Sequence, residues 1–259
     1  MKVLPAASKS LLIFWKKRVF KALFLDMDET LCDTTGANLK AREIFKNMIA
    51  ERCSGVDAEL FAASYLEGIY KRLSPKMKEE LLPITDEEKF RTDLLAWLFQ
   101  SLQGSVEFNR EQLHEFRRFF DKTRLDHFGF FPGVEELLAE LRSEFKLVVI
   151  TNGPVYSQHP KIERIDLHSH VDHIIVGGEE PEEKPYRSIF EKACRLADCR
   201  PEEAIHFGDS LAADIQGAAN SGIKSVWINP TPDNSSELPD HTIANFLLSP
   251  RILNLYRNH

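Results

Sequence analysis

Long apolar runs are missing from this sequence. The stretch Leu11 to Trp15 is only five residues long and runs straight into Lys16-Lys17-Arg18. A membrane span needs about 20 apolar residues, and a secretory leader puts its charge before a longer apolar core. Neither is expected here, and residues 1–18 read as a peripheral extension. Cysteine is scarce: Cys32, Cys53, Cys194 and Cys199 are the four, and none are paired as C-x-x-C. That spacing argues against a zinc site or a disulfide framework and points to a reducing, cytoplasmic setting. Positive charge is not in excess either, with 33 basic against 40 acidic residues and a net charge of −7. No nucleic-acid or membrane partner is expected, and an anionic substrate would have to be met by locally placed cations.

What is present fits a soluble globular protein of one or two domains: 259 residues, 43% hydrophobic and 28% charged. The run from Val19 to Leu25, broken by Lys21, reads as a strand buried on both faces, as in parallel sheets. It ends in Asp26-Met27-Asp28-Glu29-Thr30. If extended geometry continued, Asp26 and Asp28 would point to one side. Carboxylates held that close repel unless a proton or cation lies between them, and oxygen ligands suit Mg²⁺. An ordinary strand end, with Asp28 or Thr30 capping a helix, is the alternative.

Downstream, three-and-four spacing predicts helices over 37–52, 56–73, a segment beginning at Thr85-Asp86-Glu87-Glu88, and 109–126. Ser74-Pro75 and Leu82-Pro83 mark a loop-rich link. The aromatic stripe of Phe116, Phe119 and Phe120 reads as packing between helices. From Phe131-Pro132-Gly133 onward, strands are expected at 145–150, 173–176, 204–207 and 224–228. Helices are expected at 134–141, 157–166, 185–197 and 212–221, with a short strand and helix closing the chain between 243 and 256. Alternation of this kind implies a parallel sheet with helices on both faces. The block from 33 to 128 interrupts it after the first strand, as a cap at the ligand-bearing edge.

Polar groups gather at the expected strand exits: Asp26 and Asp28, then Thr151-Asn152-Gly153, then Lys184, then Gly208-Asp209-Ser210 with Asp214 five residues on. Singly these are a turn, a surface lysine and a capped strand-to-helix turn. Jointly, at the carboxyl edge of one sheet, they suit a phosphate and a metal. Lys71 and Arg72 read as a solvated helix face, with an anionic substrate group as the alternative. His168, His170 and His173 read as a loop before a strand, with a transition-metal site as the alternative.

In that order, Asp26-x-Asp28-x-Thr30, Thr151-Asn152, Lys184 and Gly208-Asp209-x-x-x-x-Asp214 resemble the haloacid dehalogenase superfamily of phosphohydrolases. The resemblance implies a Rossmann-like α/β core over 19–32 and 129–259, with an inserted helical cap of the C1 type over 33–128. It implies Asp26 as nucleophile, forming an aspartyl-phosphate, and Asp28 as acid and base. It further implies Thr151, Asn152 and Lys184 around the phosphate. Mg²⁺ would be held by Asp26, the main-chain carbonyl of Asp28 and Asp209, with Asp214 in support. An acid at Asp28 has a task in phosphate ester cleavage and none in carbon–halogen cleavage, whose leaving group needs no proton. Asp33-Thr34-Thr35-Gly36-Ala37, Gln158 with Lys161, and Asp214-Ile215-Gln216-Gly217 are similar to the phosphatases of N-acylneuraminate 9-phosphate within that superfamily. A small sugar phosphate is thus the expected substrate. Pyrimidine nucleoside monophosphates, a phosphomutase reaction and a silent binding module remain as alternatives.

Overall fold

The computed structural model describes residues 20–103, 108–231 and 238–257. The expected extension 1–18, and Val19 at the start of the first strand, lie outside them. Strand β1 (Ala22–Leu25) is buried throughout. Five helices follow: α1 (Thr34–Arg52), α2 (Ala58–Ile69), α3 (Pro75–Leu81), α4 (Glu87–Gln103) and α5 (Arg110–Asp126). Then come α6 (Val134–Arg142), β2 (Lys146–Thr151), α7 (Val155–Arg164), the single turn α8 (Leu167–His170) and β3 (His173–Val176). The chain continues with α9 (Arg187–Leu196), β4 (Ala204–Gly208), α10 (Gln216–Asn220), β5 (Lys224–Ile228), β6 (His241–Ile243) and α11 (Ser249–Arg257). The strands form one sheet in the order β3-β2-β1-β4-β5-β6, and every neighbouring pair is parallel.

Period-two alternation sorts the sheet's side chains into two separate cores. Leu23, Leu25, Leu147, Val149, Ile205 and Phe207 pack on one side with α6 and α11. Ala22, Phe24, Val148, Ile150 and Ala204 pack on the other with Ile189, Phe190 and Ala193 of α9 and Ala218 of α10. Helices on both faces are what a parallel sheet of near-continuous apolar strands requires. The result is the expected Rossmann-like core.

The helical block has a core of its own, drawn from residues between Ala41 and Phe120. Its centre is aromatic: Phe45 lies 5.5 Å from Tyr65 and 5.2 Å from Phe120, and Tyr65 meets Phe120 edge-on at 5.0 Å. The aromatic stripe is therefore packing. Local sequence sets the helix ends. Asp33 caps α1, accepting from Gly36 N at 2.7 Å, and Asn109 with Gln112 forms a reciprocal capping box on α5.

Several elements differ from expectation. The link after residue 73 holds helix α3, because Ser74 caps it and Pro75 takes its first position, where the missing N–H costs nothing. The helix expected from Pro185 starts at Arg187. The helix expected over 212–221 opens as a wide π turn, Leu211–Ile215, before α10. That wider turn contains Asp214, whose Oδ2 accepts from Ser210 N at 3.0 Å.

Candidate active site

The sheet register builds the site. Leu25 is level with Val149 of β2 and Phe207 of β4, and Asp26 N donates to Phe207 O at 2.9 Å. Asp26 thus leaves the sheet at its carboxyl edge, beside the exits of both neighbouring strands. Strand geometry stops at Leu25, and a tight turn follows. Leu31 N and Cys32 N both donate to Met27 O at 3.0 Å, and Glu29 takes a left-handed φ of 59°.

The two carboxylates therefore go to different cations, rather than sharing one ion between their side chains as continued strand geometry would have it. Asp26 Oδ1 accepts from Lys184 Nζ at 2.6 Å, and the same ammonium donates to Asp214 Oδ1 at 2.7 Å. Asp28 Oδ1 accepts from Lys161 Nζ at 2.7 Å and from the Thr34 hydroxyl, while Oδ2 accepts from Gln158 Nε2 at 2.9 Å. Burial pushes Asp28 up, but the charge and hydrogen bond of Lys161, with Thr34 and Gln158, outweigh it and hold the carboxyl below its usual range.

Strand exits position the remaining groups. Asn152 clamps the main chain of Lys184 from both ends: its Nδ2 donates to Lys184 O at 2.8 Å and its Oδ1 accepts from Lys184 N at 2.9 Å. The Asn152 side chain, expected at the phosphate, is seen here positioning Lys184. Thr151, 1% exposed, accepts from Gln158 Nε2 at 2.8 Å. Gly153, at φ +112°, carries the chain round this corner in a conformation that side chains resist. At the exit of β4, a Cβ on Gly208 would lie 2.2 Å from Asp214 Cγ, so only glycine lets Asp214 nest against the strand. Trp227 Nε1, from β5, donates to Asp209 O at 2.7 Å and fixes that loop.

Carboxylate oxygens of Asp26, Asp209 and Asp214 lie within 4.8 Å of one another. Burial, then the neighbouring carboxylates, lift Asp26 well above its usual value against the pull of Lys184. Burial and Asp214 push Asp209 up to about 6. Asp214 is held low, because Lys184 and His206 overcome its burial. Burial in turn keeps His206 low and neutral, with Nε2 2.9 Å from Asp214 Oδ1. When all three carboxylates are ionised, one lysine leaves two negative charges uncompensated, which is why Asp26 and Asp209 hold protons more readily without a cation. Asp214 is already engaged by Lys184, His206 and Ser210, which leaves Asp26 and Asp209 to face an ion. An oxygen donor set with that deficit fits a divalent hard cation such as Mg²⁺.

Asp26, Lys184, Asp209 and Asp214 are thus brought together, with Thr151, Asn152 and Asp28 alongside. His168, His170 and His173 do not converge; His170 faces Glu135 at 3.8 Å. Lys71 and Arg72 border the cavity over the site, but Glu87 takes the first at 3.0 Å and Glu67 the second at 3.2 Å. Sequence reasoning gave no role to Gln158, Lys161, Thr34 or His206. The first two had a signal, since they lie three apart on one face of a helix just beyond a polar strand exit.

The sheet order, with a helical block inserted after its first strand, places the chain among Rossmann-like enzymes that carry a helical cap. More narrowly, it belongs to the haloacid dehalogenase-like hydrolases, whose family model matches residues 20–222. Similar proteins include N-acylneuraminate-9-phosphatase of Rattus norvegicus and of Homo sapiens, each 34% identical over 90% of this chain and 93% of theirs. Glyceraldehyde 3-phosphate phosphatase of Pyrococcus furiosus is 30% identical over 81% of each chain. A magnesium-bound hydrolase from Bacillus subtilis shares the fold with a TM-score of 0.65 at 21% identity, covering 91% of this chain and 99% of that one. No helix among the described residues is long and apolar enough to cross a membrane.

Proposed function

We propose that the chain hydrolyses a small phosphate monoester through an aspartyl-phosphate on Asp26, with N-acylneuraminate 9-phosphate as the foremost substrate. The broader statement, that it is a phosphoric monoester hydrolase, rests on its family and on its similar phosphatases. One observation carries the mechanism: Lys184, buried and clamped by Asn152, holds Asp26 in place at the sheet edge. In this reading, residues 33–128 form the cap and 19–32 with 129–259 the core.

An oxygen of Asp26 attacks phosphorus, forming a new P–O bond as the ester P–O bond breaks. Asp28 gives the leaving alkoxide its proton. It rests as a carboxylate, so that proton arrives with the substrate, whose phosphate charge pushes Asp28 up. Water then attacks the phosphorus of the acyl-phosphate, Asp28 takes its proton, and inorganic phosphate leaves with Asp26 restored. Lys184 neutralises charge on Asp26 and the phosphoryl group, and Thr151 with Asn152 borders the phosphoryl oxygens. Mg²⁺, held by Asp26, the Asp28 carbonyl and Asp209, would supply further charge neutralisation when bound.

The test is Mg²⁺-dependent phosphate release from p-nitrophenyl phosphate. Asp26→Asn is expected to lower it by about 10⁴-fold or more, as loss of a nucleophile does, in a protein that still folds. Unchanged turnover in that variant would remove Asp26 from the reaction. A panel of sugar 9-phosphates and nucleoside monophosphates decides the substrate, and much faster turnover of the nucleotides would overturn the sialic acid assignment.

A further inference from the structure

Five cations are buried among the described residues: Arg91, Arg117, Arg124, Lys161 and Lys184. Buried charges are ordinarily paired, because an isolated one loses its hydration without return. Four obey. Arg91 meets Glu87 at 2.9 Å and Asp121 at 2.7 Å, and Arg117 meets Glu88 at 2.8 Å and Asp121 at 3.2 Å. Lys161 has Asp28, and Lys184 has Asp26 and Asp214.

Arg124 is the exception. It is 8% exposed, its Nη2 donates to the Tyr70 hydroxyl at 3.0 Å, its Nε has no partner, and no carboxylate among the described residues pairs with it. It borders a cavity of about 540 Å³ whose core wall includes Asp28 and Asn152. Of the acids on the cavity wall, Glu67 is committed to Arg72, Glu87 to Lys71 and Arg91, and Asp28 to Lys161, while Glu29 accepts from Thr35 N at 2.6 Å. Tyr70, on the same wall, accepts from Arg124 and from Asn38 Nδ2 at 2.7 Å. Both lone pairs are then used, and its O–H is left to donate.

We propose that Arg124, with the Tyr70 hydroxyl, receives a carboxylate on the substrate, so that the enzyme selects phosphate monoesters bearing a carboxylate elsewhere. One unspent positive charge matches one negative charge, and a guanidinium beside a hydroxyl donor suits the two oxygens of a carboxylate. A second phosphate dianion would need another cation, and Lys161 is already spent on Asp28. This rests on the phosphatase reading above and adds the chemistry of the far end of the substrate.

The test measures binding, in Mg²⁺, of N-acetylneuraminate 9-phosphate and its methyl ester to Asp26→Asn protein, which holds substrate without turning it over. With Arg124 present, the free carboxylate is expected to bind about 10- to 100-fold more tightly than the ester, the range of charge-assisted hydrogen bonds. Arg124→Gln is expected to bring that ratio close to one, and Arg124→Lys to restore part of it. A ratio near one with Arg124 intact, or a ratio that survives Arg124→Gln, overturns the proposal. Removing an unpaired buried cation is expected to leave the melting temperature unchanged or higher, so misfolding does not confound the readout. The two readings fail separately. Turnover of phosphate esters with a binding ratio of one sinks the carboxylate receptor alone, whereas a large ratio without any turnover sinks the phosphatase reading alone.

Discussion

The interior of the helical block and the walls of the cavity treat buried charge in opposite ways. Inside the block, Arg91 and Arg117 share Asp121 and draw in Glu87 and Glu88, so these charges are met within the protein. At the sheet edge, Lys184 is the one lysine or arginine among the described residues that pairs with any of Asp26, Asp209 and Asp214. Across the cavity, Arg124 has no acid among the described residues. Matched charge serves the fold, while the unmatched charges are the ones to which the proposals above assign a ligand. The two deficits have opposite sign, negative at the edge and positive at the cap wall. That is the complement of a cation with an anionic ligand.

Removing Lys184 should break this contrast hardest. Lys184→Met leaves Asp26 and Asp214 buried without their lysine, and loss of one partner from a buried pair costs about 3–5 kcal/mol. Chemical denaturation should show a loss of that size without Mg²⁺ and partial recovery with it; a midpoint that Mg²⁺ does not move would argue against a cation site.

A smaller effect concerns pH. Asp209 is pushed up to about 6 by burial and by Asp214. Above that pH it is charged and free for a cation, and below it a proton competes. Mg²⁺ affinity should therefore fall as pH drops through about 6, by up to about tenfold per unit. Calorimetric titration of Mg²⁺ across that range checks this, and Asp209→Asn should flatten the curve.

The smallest effect sharpens the comparison from the block's side. Ile49→Val removes one fully buried methylene from the aromatic core and should cost about 0.5–1.5 kcal/mol. It should leave Mg²⁺ affinity where it was. A change in both would show that the block's packing reaches the sheet edge.

Much of this was legible in advance, for physical reasons that also set the limit. Strands such as Leu147 to Ile150 are short apolar runs because both their faces are covered, and a run of that kind is a local signal. Asp26, Lys184 and Asp209 stood out because polar groups that end such runs have few structural uses. Helix α3 was missed because Ser74-Pro75 punctuates a loop and starts a helix equally well. Lys161 and Gln158 had no visible function because their partner Asp28 lies 133 and 130 residues away in the chain. Lys71 and Arg72 drew attention as adjacent charges, whereas the buried cation without an acid, among the described residues, turned out to be Arg124. Whether a charge is matched depends on neighbours that only the folded chain supplies.

Helix α7 touches both halves of that balance. Its inner side holds Asp28 through Lys161 and Gln158. Its outer side grips α5, where the Tyr156 hydroxyl donates to Asp121 at 2.8 Å and Arg164 donates to Leu125 O at 3.2 Å. A helix pinned at two places couples them. Any rocking of α5 that carries Tyr156 with it must reach the tethers of Asp28, the proposed proton donor, which the block also holds directly through the Thr34 hydroxyl at the start of α1.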